Sequence, residues 1–478
     1  MSDASRRLVG RGSIYMIGSA APMLTGLLVT PLLTRSVDVS EYGSISVAIV
    51  VMQWSIALLG LGLPVAITRH ALTESSGPDG ARSIAVIASS LVLAAASAIA
   101  GLALLVDRIG GVGLPVSILL AFVAAGAGSG TAMAMAWALA EERSWFYVVL
   151  AVGLSLMGPA VGLVCVSLVD ARGATAYFLG VVATNCVLLA AGMGRVASTG
   201  RVTFDLGAMR KALKVGLPMV PHLFATGSLN GIAVIVAGAV IGHAAGGRAQ
   251  VAVYLGTVAL VLTSAIGYAW LPVLAQVAPD ARGEQLAETS KAVAWLAGLT
   301  AGGVATLSPW LLMLLVPPRY DIATMVPVTA IACMSAALAA VYLAHQQVVV
   351  ISGRTTRLAL ISPASMLIGA LVSWAAASVY GLVGVAVGLP VVYLLLWRLT
   401  RRLAREVSTL RWAERGASVA VVFATGVCLT AALLPTSGDF AVAMRASLAA
   451  VLVVLGLMRL RTIFTKAGTP SVAPGASS

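Results

Sequence analysis

All seventeen acidic residues of this 478-residue chain fall in, or at the ends of, connections between long apolar runs. Asp38, Glu41, Asp107, Glu141, Glu142, Asp170, Asp205, Asp321 and Asp439 are examples. A carboxylate at mid-bilayer costs roughly 2.5–3.5 kcal/mol on insertion scales, so this segregation is what a lipid environment imposes. Hydrophobic residues make up 60% of the chain and charged residues 10%. Repeated apolar runs of about 20 residues indicate transmembrane helices. A β-barrel would instead show short alternating segments, and the sequence has none.

Fourteen spans are expected, over roughly 12–34, 43–68, 83–106, 114–140, 146–169, 174–194, 214–242, 251–276, 289–316, 323–350, 358–379, 382–400, 416–434 and 442–460. Lys and Arg test the count. With the N-terminus inside, 24 of the 30 basic residues lie on the cytoplasmic side. Six lie outside: Arg35, Arg108, Arg172, Arg248, Arg319 and Arg445. That bias predicts both termini in the cytoplasm. It also explains the net charge of +13 without nucleic acid, because no basic patch is interleaved with exposed aromatics. The apolar run after the basic N-terminus is too long for a cleaved signal and is taken as a retained helix. Arg outnumbers Lys 26 to 4, a codon-usage hint of a GC-rich bacterium.

The fold class is therefore an all-α polytopic membrane protein. The expected organisation is an N-terminal six-helix lobe (1–194), a cytoplasmic linker (195–213), a C-terminal six-helix lobe (214–400), an additional helix pair (401–465) and a disordered tail (466–478). A faint internal echo supports two lobes. Span two begins Tyr42-Gly-Ser-Ile-Ser-Val-Ala and span eight begins Tyr254-Leu-Gly-Thr-Val-Ala. Each follows a proline-marked span, and six spans separate them, as parallel repeats would require. Gly126-x-x-x-Gly130, Gly238-x-x-x-Gly242, Gly298-x-x-x-Gly302 and Gly384-x-x-x-Gly388 are expected to pack helices closely.

The linker leads into the most informative stretch, residues 210–242. Pro218 and Pro221 break the start of the span, and His222, Thr226 and Asn230 follow at helical spacing on one face. Such a stripe faces either a water-lined cavity or a neighbouring helix. Gln53 and Trp54 lie in the middle of span two. Tyr268 and Trp270 in span eight are either interfacial anchors or surfaces for sugar rings. His345, Gln346 and Gln347 make the end of span ten unusually polar. There is no phosphate loop, paired carboxylate or metal-ligand spacing, so no catalytic residue, metal or cofactor is assigned. The four cysteines sit in apolar runs as small packing residues.

Three segments resemble bacterial polysaccharide flippases: G-S-I-Y-M-I-G…P-L-L-T-R-S-V-D-V-S-E-Y-G (12–43), V-G-L-P-M-V-P-H-L-F-A-T-G-S-L-N (215–230) and S-V-Y-G-L-V-G-V-A-V-G-L-P-V-V-Y (378–393). These resemble the polysaccharide transporter (O-antigen/oligosaccharide flippase) family of the multidrug/oligosaccharidyl-lipid/polysaccharide exporter superfamily. The resemblance implies a cavity lined by spans one, two, seven and eight. It also implies alternating access that moves a polyprenyl-pyrophosphate glycan from the inner to the outer leaflet of the bacterial cytoplasmic membrane. Arg35 and Arg69 are the nearest candidates for the pyrophosphate. Expected partners are the lipid-linked glycan, membrane lipid, and a glycan polymerase and glycosyltransferases, with the chain itself a monomer. Where many members have an Asp-Arg pair after the Leu-Asn of span seven, this chain has Ala233-Val234. Alternatives are a lipid II flippase, a drug exporter of the same superfamily, a membrane glycan polymerase or ligase, and a purely structural membrane protein. The drug exporter would want an intramembrane carboxylate, and the polymerase or ligase a sizeable outer loop.

Overall fold

The computed structural model describes residues 25–169, 173–264, 270, 277–278, 280–352 and 357–467. Among these there are helices and no strands. They are α1 (25–36), α2 (Val39–Leu59), α3 (Leu63–Thr73), α4 (Gly77–Gly110), α5 (Val116–Ala140), α6 (Ser144–Val152), α7 (Gly158–Leu168), α8 (Gly173–Ala197), α9 (Leu206–Gly216), α10 (Val220–Val240) and α11 (His243–Gly256). They continue as α12 (Val258–Ser264), α13 (Arg282–Leu315), α14 (Ile322–Ile351), α15 (Leu358–Val385), α16 (Gly388–Val407), α17 (Arg415–Leu433) and α18 (Asp439–Ala467).

Ten of the described spans are long and apolar enough to cross a membrane, or twelve if each of two bent pairs counts once. Those pairs bend by 49° between Ala225 and Gly227 and by 46° between Gly256 and Val258. The count of fourteen is not reached for two reasons. Most of the first span (12–34) lies outside the described residues, as do Pro22, Pro272 and the tail from 468. The twelfth ends in α16, whose second half carries Arg398, Arg401, Arg402 and Arg405.

Helix breaks follow the prolines. Pro64 and Pro221 occupy the first turns of α3 and α10, where the missing N–H has no intrahelical acceptor to lose, whereas Pro159 follows directly on a π-helical turn, Gly153–Met157, and lies in continuous helical backbone. Pro218 sits in a one-turn 3₁₀ segment, Leu217–Met219. Pro327 and Pro363 are within α14 and α15.

The contacts divide the chain into two compact units. The first comprises 1–254, 313–321 and 356–389; the second comprises 255–312, 322–355 and 390–478. The six-plus-six grouping expected from chain order is a different division. In the first unit, Leu63, Ile67, Met133, Trp137, Leu150 and Leu188 build a core with many small residues around it. Large apolar side chains such as Leu91, Leu102 and Leu105 of α4 are exposed instead, as a lipid-facing surface requires. Lipid is as apolar as leucine, so close approach of small residues holds helices together. Gly126 and Gly130 of α5 lie against α4 and α8. In the second unit, Gly298 and Gly302 of α13 lie against Ala424 and Val427 of α17. Gly242, by contrast, ends α10 at φ 129° and meets nothing, so it serves a turn.

Many hydroxyls inside the spans are satisfied locally. Ser46, Thr131, Thr184 and Thr263 each donate to the carbonyl four residues back. Arginines satisfy carbonyls over longer range. Arg319 donates to the carbonyls of Thr34, Arg35 and Val37 at the end of α1, at 2.8, 3.3 and 2.8 Å. In the second unit Arg445 of α18 is 1% exposed and donates to Thr306 (3.1 Å), Ala431 (2.9 Å), Leu434 (2.8 Å) and Pro435 (3.1 Å). It thus holds the C-terminal carbonyls of α17 against α13.

A second tie joins α14, α16 and α17. Glu414, just before α17, lies 2.6 Å from Arg401 Nε, 3.2 Å from Arg405 and 3.7 Å from His345 Nε2. The Arg401 contact is electrostatic and not a directed hydrogen bond. His345 is buried, donates from Nδ1 to Val341 O at 2.7 Å, and packs on Trp412 with ring centroids 4.8 Å apart. Burial pushes the Glu414 carboxyl up, but His345 and Arg401 outweigh it and hold it at about 2.

Two stability predictions follow from these ties. Arg445→Leu leaves four carbonyls without their donor and should lower the thermal midpoint in detergent. At about 1–3 kcal/mol per buried unsatisfied group the loss is several kcal/mol, and Arg445→Lys should not rescue it because a point ammonium cannot span the set. Glu414 has a depressed folded pKa, so its stabilisation is full above its ordinary value of 4.5 and is lost as pH falls through about 2. The gap in thermal midpoint between wild type and Glu414→Gln should therefore close over that acidic range.

Candidate functional site: a cavity with an amide and hydroxyl lining

The first unit contains an open, mostly apolar-walled cavity of about 510 Å³ bordered by α1, α2, α5, α6, α7, α8 and α11. Its polar lining consists of hydroxyls and amides. Tyr42, Tyr147, Tyr177 and Tyr254 contribute rings; Thr25, Thr30 and Ser155 contribute hydroxyls; Gln53, Asn185 and Gln250 contribute amides. Among the described residues none that lines it carries a formal charge. Leu33, Ile49, Met52, Ile56 and Val181 are among the apolar residues that make up most of the wall.

Local sequence explains the shape. Pro159 has no N–H, so the Ser155 carbonyl loses its usual i+4 donor. The chain answers with a widened π turn over Gly153–Met157, in which Gly158 N–H bonds Gly153 O. Such turns concentrate at functional sites. Here the turn carries Leu154 and Ser155 into the cavity wall, and the Ser155 hydroxyl donates to Ala151 O. On the facing side, Gly26 is required because any Cβ would overlap the Tyr254 ring.

Asn185 is the least satisfied group of the lining. It is 3% exposed, and its Nδ2 donates to Ala124 O of α5 at 3.1 Å. Because that partner can only accept, the amide orientation is fixed and the oxygen is the free end. Asn185 Oδ1 is buried and accepts no hydrogen bond. A buried polar atom without a partner costs free energy and is expected only where something else supplies one.

The residues singled out in sequence separate in space. Gln53 lines the cavity. Trp54, its neighbour, packs edge-on against Phe224 with centroids 5.7 Å apart, joining α2 to α10, and its Nε1 is buried without a partner. His222 Nδ1 meets Ser362 Oγ at 3.0 Å, joining α10 to α15. Asn230 is exposed on α10 and Pro221 on its first turn, with Pro218 exposed in the turn before. Arg35 donates to Pro31 O at 2.7 Å and Leu314 O at 3.2 Å, and Arg69 is exposed on the last turns of α3. Trp270, in the second unit, donates to Thr289 Oγ1 at 3.0 Å. Tyr268 and the Thr226 side chain lie outside the described residues.

Tyr147, Ser155, Tyr177, Asn185 and Gln250 were not anticipated. A signal existed for Asn185, an amide in mid-run. Another existed for Tyr42 and Tyr254: the two residues that open the sequence echo meet at this one cavity.

Long apolar helices bordering a cavity that carries amide and hydroxyl groups are the architecture of a multi-pass membrane protein. The chain belongs to the polysaccharide biosynthesis protein family, whose model matches residues 9–278. That range contains two of the three segments that carry the resemblance. No curated protein sequence matches. Among solved structures, the lipid II flippase MurJ in an inward closed conformation aligns with TM-score 0.63 at 12% identity, over 94% of this chain and 99% of that one. An inward-facing multidrug resistance MATE family transporter of the MOP superfamily aligns with TM-score 0.59 at 14% identity, over 83% and 98%. A MOP superfamily transporter from Pyrococcus furiosus aligns with TM-score 0.54 at 15% identity, over 86% and 97%. The fold is therefore that of the MOP superfamily.

Pro159→Ala restores the donor to Ser155 O and should regularise the π turn. It should raise the thermal midpoint, since a proline in a helix interior costs about 3 kcal/mol, while slowing transport in vesicles.

Proposed function

We propose that the protein flips a polyprenyl-pyrophosphate-linked oligosaccharide from the inner to the outer leaflet of the bacterial cytoplasmic membrane by alternating access, for export of cell-surface polysaccharide. The observation that carries this reading is the coincidence of the family match with a cavity lined by hydroxyls and amides and by no charge. A glycan headgroup cannot cross hydrocarbon unaided, because its hydroxyls would lose their hydrogen bonds to water. A wall of tyrosine, amide and hydroxyl groups replaces those bonds and offers flat apolar faces to sugar rings. The same wall gives a cationic drug no counter-charge, which sets the exporter alternative behind.

The α10 stripe serves the transition between inward and outward forms in this proposal. His222, tied to Ser362, couples α10 to α15, and Asn230 offers an exposed amide. Arg69, exposed at the end of α3, is the better candidate for the pyrophosphate. Arg35 already gives two guanidinium nitrogens to backbone carbonyls.

The test is reconstitution in liposomes with a lipid-linked glycan labelled on its sugar, read by access of a membrane-impermeant quencher. Protein-dependent exposure is expected; the same rate in protein-free liposomes would sink the proposal. His222→Ala and Asn230→Ala should insert normally and slow transport about two- to tenfold, the effect of one hydrogen bond worth about 0.5–1.5 kcal/mol. Wild-type rates in both would return the stripe to a packing role.

A further inference from the structure

We propose that the cavity of the first unit is a recognition subsite for an uncharged sugar unit, with Asn185 as its specificity-determining residue. The inference rests on the transport reading above and deepens it, by naming which part of a glycan the cavity takes.

Charge comes first. Among the described residues the lining holds no Asp, Glu, Lys, Arg or His, and so gives no electrostatic partner to a uronic acid or an amino sugar. Moving either ion into a largely apolar wall costs desolvation that nothing there returns. A neutral pyranose has no such penalty. Its hydroxyls find Gln53, Gln250 and Ser155, and its C–H faces find the tyrosine rings. The volume, about 510 Å³, lies in the roughly 300–1,000 Å³ range of small-molecule sites.

Asn185 adds direction. With Nδ2 held by Ala124 O, the unpartnered Oδ1 can only accept. The matching ligand group is a donor: a sugar hydroxyl or the N–H of an acetamido substituent. The π turn provides the means of access. Gly158, the first residue after it, lies beside Asn185 Oδ1, where an added Cβ would stand 3.5 Å away. The turn next to the orphaned oxygen therefore presents no side chain against it.

The experiment uses full-length protein in nanodiscs and saturation-transfer NMR with four soluble probes: methyl glucoside, N-acetylglucosamine, glucosamine and glucuronate. Binding of the two neutral sugars, with the cation and anion at least about tenfold weaker, is expected from the missing counter-charge. Asn185→Leu should weaken the neutral sugars about tenfold. Asn185→Asp should shift preference towards glucosamine. Gln53→Leu, on an exposed cavity position, gives a second reading should the Asn185 variants not fold, and should weaken the neutral sugars too. Equal binding of all four probes, no binding of any, or unchanged binding in Asn185→Leu and Gln53→Leu would overturn the inference. Failure of the liposome assay with neutral-sugar binding intact would remove the flippase reading alone. Protein-dependent flipping without sugar binding would remove the subsite alone.

Discussion

Backbone carbonyls at helix ends must find donors inside the protein when the surroundings are hydrocarbon. This requirement organises the structure more than side-chain burial does. Three of the six arginines expected on the outer side, Arg35, Arg319 and Arg445, all donate to backbone carbonyls. Arg319 gathers the end of α1, and with Thr34 donating to Leu315 O it fixes the 313–321 segment in the first unit. Arg445 does the same for α17 and α13 in the second. An isolated arginine would be costly at such a position; four carbonyl dipoles make it a structural pin.

The cavity is the counterpart of that rule. Where carbonyls and amides are satisfied, the interior is packed with alanine and glycine. Where a π turn precedes Pro159 and Asn185 leaves its Oδ1 without a partner, the first unit opens into a cavity. Both features come from residues that a regular helix would avoid, a mid-span proline and a mid-span amide. Natural sequences tolerate such local conflicts chiefly where function needs them.

Neutrality gives the cavity its character. The absence of a mid-span carboxylate, legible from the sequence, removes the simplest means of holding a cation. Titratable chemistry sits instead outside the cavity, in the Glu414 cluster of the second unit, where it ties helices together.

The sequence by itself determined the helical membrane class, through the segregation of charge from apolar runs, because hydrocarbon tolerates little else. It also carried the family resemblance, and it marked Tyr42, Tyr254 and Gln53, through an echo and a mid-run amide. Only the tertiary structure decided which polar residues meet. Trp54 and His222 looked like cavity residues by position, yet they join α2 to α10 and α10 to α15. Periodicity says which residues share a helix face, but not which neighbour that face meets. Tyr177 and Asn185 share one face of α8, but only packing brings that face together with Ser155 of the preceding helix, Tyr42 of α2 and Tyr254 of α11. The fate of Arg35 was likewise undecidable in one dimension, since its partner Leu314 lies on a segment that packing alone brings beside α1.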